Sequence, residues 1–221
     1  MQGTQKSISS DKSQAFIMDK LIAMLAHPVI WRTSRFILDA TLGLYRKRIQ
    51  IMKKWDVFGP SSSVLDIGCG IGHFSRSCEG QYVGIDLSEK YIEYAKKTRQ
   101  TDRKTFLHMD VRSLHEKNHT FSAVLLADIL HHLDDLDSVN LLKEAKRLSS
   151  SKIISFEPIQ EQTSAIGAWF IANDRGQFIR PLDQLHALYK AAGLTIQASE
   201  EFYIGPMRSR AILCEVNPDP A

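Results

Sequence analysis

The sequence predicts an α/β fold: a mostly parallel sheet with helices on both faces, an antiparallel hairpin at its C-terminal edge, and a helical appendage in front. Three observations carry this expectation. From residue 64 onward, short apolar runs alternate with amphipathic stretches, the pattern of buried parallel strands joined by crossover helices. The first run, 64–67, breaks into Gly68-Cys69-Gly70-Ile71-Gly72, a turn that opens a helix. The last two runs, 194–203 and 207–216, lie on either side of Gly205-Pro206 and read as a hairpin.

The elements follow in order. Residues 1–12 are polar and Ser-rich, with too little apolar surface to order themselves, and are expected to form a mobile tail. From Ser13 the periodicity turns helical: Ile17, Leu21, Met24 and Leu25 share one face until Pro28 interrupts it. A second helical stretch carries Trp31, Ile37, Leu38, Leu42, Tyr45, Ile49 and Trp55, with Arg35, Arg46, Lys47, Arg48, Lys53 and Lys54 read as the opposite, basic face. Residues 13–58 are thus a helical cap, and Gly59-Pro60 with three serines links this appendage to the α/β domain, 59–221. In that domain strands are expected at 64–67, 82–86, around Phe106, at 121–128 and at 152–156, with helices at 72–79, 88–99, 136–148 and 181–192. Ser88 suits an N-cap, and Pro181 before one helix and Gly193 after it obey the boundary asymmetry of helices. Residues 159–180 break the alternation, holding Trp169, Phe170, Ile171 and Phe178 among Asp174, Arg175, Gly176 and Arg180. Lying after a strand end, this stretch falls on the ligand side of the sheet and is expected to cover a bound molecule.

Composition narrows the function. A chain of 221 residues has room for one α/β domain plus an appendage, and a formal charge of +3 lacks the basic excess of a protein that grips long nucleic acid. Cys69, Cys78 and Cys214 are few, odd in number and without paired spacing, which supports neither a disulfide framework nor a zinc site and fits a cytoplasmic setting. No apolar run reaches the roughly 18 residues of a membrane span.

The chemistry begins at the glycine turn. Its glycines let backbone approach a ligand, and a second strand ends at Asp86, eighteen residues after Gly68, where an acid can accept both hydroxyls of a ribose. A dinucleotide fingerprint would place its third glycine at position 73, which is His73 here, and a nicotinamide oxidoreductase is disfavoured on that ground. The run Val64-Leu65-Asp66-Ile67-Gly68-Cys69-Gly70-Ile71-Gly72 instead resembles the first motif of class I S-adenosylmethionine-dependent methyltransferases. Phe106-Leu107-His108-Met109-Asp110-Val111 is similar to that family's third motif, and Ile129-Leu130-His131-His132-Leu133 to its fourth, in the family's order. Over residues 60 to 216 the resemblance implies a seven-stranded Rossmann-like methyltransferase sheet with S-adenosylmethionine as methyl donor. It implies that Asp66, Gly68, Cys69, Gly70 and Gly72 hold the methionine end, Asp86 and Leu87 the ribose, Met109, Asp110 and Val111 the adenine, with Ala127 at the end of strand four.

Because a sulfonium makes its methyl group electrophilic, such an enzyme mainly aligns a nucleophile and excludes water. His131 or His132 can take a proton from a hydroxyl or acidic carbon, with His132 slightly preferred for its place deeper in the turn; packing of both is the competing reading. Arg46 is a candidate for the methionine carboxylate and Tyr45 for the sulfonium face. Asp134 and Asp135 beside the histidines lack further ligands, so no metal is expected. Arg175 and Arg180 can serve an anionic acceptor or pair with Asp174. The lack of an Asn/Asp-Pro-Pro-aromatic stretch after strand four, where Ala127-Asp128-Ile129-Leu130 stands, disfavours a nitrogen in DNA or glutamine. The expected function is O- or C-methylation of a small molecule; the alternatives are an RNA or protein methyltransferase, or a binding protein without turnover. The oligomeric state is left open.

Overall fold

The computed structural model describes residues 43–116, 120–174 and 176–216; the expected tail, the cap as far as residue 42, and Arg175 lie outside them. Seven strands form one sheet: β1 (Ser63–Ile67), β2 (Gln81–Asp86), β3 (Lys104–His108), β4 (Phe121–Ala127), β5 (Ser149–Pro158), β6 (Ile196–Ile204) and β7 (Met207–Glu215). Their spatial order is β3-β2-β1-β4-β5-β7-β6, and β7 runs antiparallel to both of its neighbours. The chain winds one way from β1 to β3 and the other way from β4 onward. The crevice between β1 and β4, at their carboxyl ends, is therefore the switch point at which open α/β sheets bind ligands.

Among the described residues five helices accompany the sheet: α1 (Leu44–Lys54), α2 (Glu89–Arg99), α3 (Asp135–Leu148), α4 (Ala165–Ala172) and α5 (Leu182–Ala191). Successive strand residues face opposite ways, so the apolar runs feed two cores. Val64, Leu125, Ile154 and Phe156 pack with Met52 of α1, with Trp55 just past its end, and with Ile92 and Ala95 of α2. Leu65, Val124, Leu126 and Ile153 pack with Leu141, Leu142 and Ala145 of α3 and Leu185, Leu188 and Tyr189 of α5. This two-sided burial is why the central strands read as unbroken hydrophobic runs. Gly205 at φ 55° supplies the first central residue of the two-residue β6–β7 turn, a position that favours glycine.

Four expectations need correcting. The helix at 72–79 is only a 3-10 turn, His73–Arg76, because the Ser75 hydroxyl bonds back to the Gly72 carbonyl (2.7 Å) and the chain must turn early to start β2. Ser88 precedes α2 without a side-chain cap; its N–H instead donates to Asp86. Strand five begins at Ser149, three residues before the expected start, since its serines read as loop yet pair beside Phe121. Finally, the covering segment contains α4, whose residues are apolar all round and so show no helical period.

Candidate active site

A cavity of about 1290 Å³ opens at the switch point, bounded by the ends of β1, β2, β4 and β5, one face of α1, and α4. The glycine loop forms one wall. Gly68 and Cys69 both donate backbone N–H to the Ile85 carbonyl (2.9 and 3.0 Å), and Gly70 donates to Asp86 Oδ2 (2.8 Å). Asp86 Oδ1 accepts from Ser88 N at 2.7 Å, so one carboxylate fixes the loops after both strands and retains acceptor capacity for a ligand. Gly68 and Gly70 line the cavity at φ 73° and 54°.

Gly72 does not line it. A Cβ at Gly72 would lie 2.2 Å from the Phe106 ring, so this glycine serves packing rather than ligand contact, which corrects its expected role.

Asp66 sits beneath the loop, fully enclosed and facing the cavity. Burial, and then the Asp86 charge, push its carboxyl up to about 7, against the lowering effect of a hydrogen bond from the Tyr82 hydroxyl. Its Oδ1 has no hydrogen-bond partner. A buried acceptor left unpaired at a cavity wall calls for a ligand donor, and an ammonium group satisfies it.

On the far side Leu87, Met109, Asp110 and Val111 line the cavity, as Cys69 and Ala127 do nearer its centre. Leu87 is 72% exposed, an apolar flank without protein cover. Asp110 pairs with Arg112 (Nη2 to Oδ2, 2.5 Å), whose hydrogen bonds hold its carboxyl below the usual range.

The base of the cavity departs most from expectation. Arg46 is exposed and outside the lining; Arg48 is buried and inside it. Tyr45 faces the cavity, and on a helix the residue three positions on shares its face, whereas the next residue points about 100° away. Arg48 grips both oxygens of Asp128 at 2.6 Å, with its guanidinium 5.7 Å from the Phe156 ring centre and 5.8 Å from that of Phe202. Asp128 has φ 57°, a left-handed conformation that strand sequence does not suggest and that the bidentate pair holds.

His131 and His132 follow in a 3-10 turn, Leu130–His132, rather than a regular helix. His131 Nδ1 lies 2.7 Å from Glu157 Oε2, and Glu157 also accepts the backbone N–H groups of Ile129, Leu130 and His131 (3.0, 2.8 and 3.3 Å). Burial resists charging of the ring, but the Glu157 hydrogen bond and charge, aided by Asp128 and Asp174, prevail and raise its pKa. Asp174 Oδ1 stands 3.6 Å from the other ring nitrogen, Nε2. His132 lacks such a partner carboxylate; desolvation and then the neighbouring His131 lower its pKa. A Cβ at Gly176 would lie 2.1 Å from His131 Cδ2, so glycine there lets the covering loop close against the imidazole.

The remaining candidates have structural partners. Asp134 caps α3 by accepting from Asp137 N (2.8 Å). Asp135 pairs with Arg180, which also donates to the carbonyls of Leu130, Phe178 and Leu133. Arg180 therefore ties the covering segment to the histidine turn, and Asp174 is not its partner.

Residues 64–151 match the family model described as a methyltransferase domain. The stretch from β1 to the start of β5 is thus similar to a methyltransferase domain. A search of curated proteins finds no significant match. Solved structures of similar fold include magnesium protoporphyrin IX methyltransferase from Synechocystis PCC 6803 with bound SAH, at 15% identity and TM-score 0.58 over 83% of each chain. A SAM-dependent methyltransferase from Aquifex aeolicus is 16% identical at TM-score 0.60, covering 76% of this chain and 88% of its own. The [4+2]-cyclase SpnF is also similar, 18% identical at TM-score 0.56 over 71% of this chain and 74% of its own. At such identities the likeness is one of fold, and a methyltransferase-type sheet can carry other chemistry, so the acceptor reaction has to be read from the site.

Sequence reasoning missed Arg48, Asp128, Glu157 and Asp174. For two of them a signal existed: Arg48 falls on the apolar stripe that runs from Tyr45 through Met52 to Trp55 at the end of α1, and Glu157 closes a buried strand where no exposed face is available.

Proposed function

We propose that this protein methylates a hydroxyl group of a small, uncharged, largely apolar acceptor, with His131 as general base and Glu157 as the residue that positions it. The observation that carries the reading is the His131–Glu157 contact at the cavity base, beside the glycine loop. The residues fit the donor: Asp66 Oδ1 is an unpaired acceptor for an ammonium group, Asp86 has capacity for ribose hydroxyls, and Leu87, Met109 and Val111 offer apolar cover for a base. When bound, S-adenosylmethionine supplies the electrophilic methyl group and leaves as S-adenosylhomocysteine.

The chain's own residues supply the rest. With its Nδ1 proton donated to Glu157, neutral His131 has its lone pair on Nε2, 3.6 Å from Asp174 Oδ1, where it takes the acceptor proton as the oxygen attacks the methyl carbon. The paired Asp128 carboxylate and the Glu157 charge then favour the imidazolium that results.

The acceptor class follows from the walls. Pro158, Trp169, Phe170, Ile204, Pro206 and Met207 surround this end of the cavity. Arg48, which lies there too, is already neutralised by Asp128 and so is not open to a carboxylate or phosphate. The total volume also exceeds the roughly 300–1,000 Å³ that one ligand usually occupies, leaving room for donor and acceptor together.

The test is incubation of the purified protein with methyl-labelled S-adenosylmethionine and an extract fractionated by polarity. Label in a neutral organic-phase product, abolished in His131→Ala but retained in His132→Ala, supports the proposal. Label confined to RNA or protein, or loss in His132→Ala alone, refutes it.

A further inference from the structure

A second cavity, of about 260 Å³, shares no lining residue with the first. It lies where the 3-10 turn after the glycine loop, the C-terminal end of α2 and the start of β3 meet, at the opposite end of the sheet from the donor site. Its lining is Ser75, Arg76, Thr98, Arg99, Thr101 and Lys104: three cations, three hydroxyls and no carboxylate. None of the three cations forms an ion pair among the described residues.

Arg99 is the anomaly. Its Nε and Nη1 are buried and have no hydrogen-bond partner. Desolvation by burial and then repulsion from Arg76 lower its pKa, so the guanidinium sits in an environment hostile to its charge. Native proteins rarely leave buried donors unpaired, and one common reason when they do is an ion that binds there. The other lining groups have donors to spare or are satisfied in ways that exclude competing roles. Lys104 spends two N–H groups on the carbonyls of Cys78 and Gly80 and keeps a third. The Thr101 hydroxyl accepts from Arg103 N (3.3 Å), which leaves its own proton available. The carbonyl end of α2 works against an anion, so full guanidinium charges are needed to hold one.

We propose that this cavity binds a phosphate-class dianion: inorganic phosphate or the terminal group of a small phosphate monoester. Arg99 and Arg76 supply the forked donors that suit phosphate oxygens, and Lys104 adds a third charge. A dianion offsets three clustered cations better than a carboxylate does. The volume is below that of a site for a drug-sized ligand, which favours a phosphate group and little beyond it.

The experiment is calorimetric titration of the full chain with sodium phosphate, glycerol 3-phosphate and a short single-stranded RNA, against sodium chloride at matched ionic strength. Binding of S-adenosylhomocysteine, followed in parallel, reports on the main cavity. Saturable binding of phosphate or its monoester, weakened about tenfold or more in Arg99→Gln, supports the site. Arg76→Gln alters an exposed residue and guards against a folding defect; it is expected to weaken phosphate binding in the same direction with S-adenosylhomocysteine affinity unchanged. Phosphate binding no better than chloride, or undiminished in both variants, overturns the proposal. Tighter, Arg99-dependent binding of the RNA than of the monoester overturns the choice of a small phosphate.

Discussion

Replacing Glu157 with Gln tests the base assignment most directly, because it preserves shape while removing one charge. Glu157 accepts three backbone N–H groups and faces His131 Nδ1 at 2.7 Å. An amide keeps one acceptor oxygen, but its NH₂ opposes at least one of those donors. The loss is one charge-assisted hydrogen bond plus a buried donor without a partner, about 2–4 kcal/mol of stability. The catalytic effect is expected to be larger than the stability effect. Without the carboxylate the imidazole loses both its fixed tautomer and the stabilisation of its charged form, and kcat should fall by about 10²-fold or more.

The pH dependence carries a sign. In the folded wild type the His131 pKa lies above the ordinary 6.5, so the neutral base accumulates, and activity rises, only as pH passes that raised value. In Glu157→Gln the acidic limb should move to lower pH while the plateau drops. Stability follows the same linkage: the raised pKa stabilises the fold fully below about pH 6.5, and this contribution disappears as pH rises through the folded pKa. The difference in unfolding free energy between wild type and variant should therefore be greatest in mild acid. Single-turnover rates and urea melts across pH 5.5–8.5 check both. A kcat within twofold of wild type and an unmoved acidic limb would refute the assignment.

Four further outcomes follow from the geometry. Asp86→Ala removes the acceptor for Gly70 and Ser88 and should weaken S-adenosylmethionine binding by about 1–3 kcal/mol in calorimetry; unchanged affinity would show that Asp86 only ties loops. Gly72→Ala drives a Cβ into the Phe106 ring at φ 70° and should lower unfolding free energy by about 1–3 kcal/mol, with donor affinity of the folded protein intact. Arg48→Gln removes the bidentate pair from Asp128 beside the cavity and should cost about 1–3 kcal/mol in denaturant melts, discounted because Asp128 is 27% exposed. Asp66→Asn should stabilise the protein at pH 8 and hardly at pH 3, since the carboxyl, raised to about 7 in the fold, lends its stabilisation only in acid and loses it as pH rises from 3.8 through that value.

Much of this architecture is legible in sequence because its determinants are local. The first four strand runs, the glycine turn, the acid ending β2 and the hairpin at Gly205-Pro206 each depend on a few adjacent residues and stand close to where they were expected, whereas strand five starts three residues early. What escaped depends on distant partners or on weak periodicity. The 3-10 turn after Gly72 is set by how soon β2 must begin, and α4 has no polar face to give it a period. Asp128 reads as an ordinary strand end because nothing beside it in sequence shows the guanidinium eighty positions away.

The two histidines show where local reasoning stops. Neighbours in sequence, they differ in the fold through one residue 26 positions from His131. The same carboxylate that gathers the N–H groups of the turn after β4 also orients the His131 ring, so Glu157 caps the turn and, in the proposed mechanism, positions the base at once. That double duty joins strand β5 to the turn after β4, and Gly176 and Arg180 then close the covering segment over it. A change at Glu157 is accordingly expected to loosen the cover as well as the base, whereas His131→Ala should lose the base and keep the three backbone bonds. The two variants separate by hydrogen exchange at Leu130 N–H: faster in Glu157→Gln, close to wild type in His131→Ala. Equal exchange in both would mean that the imidazole, and not the carboxylate, holds the turn.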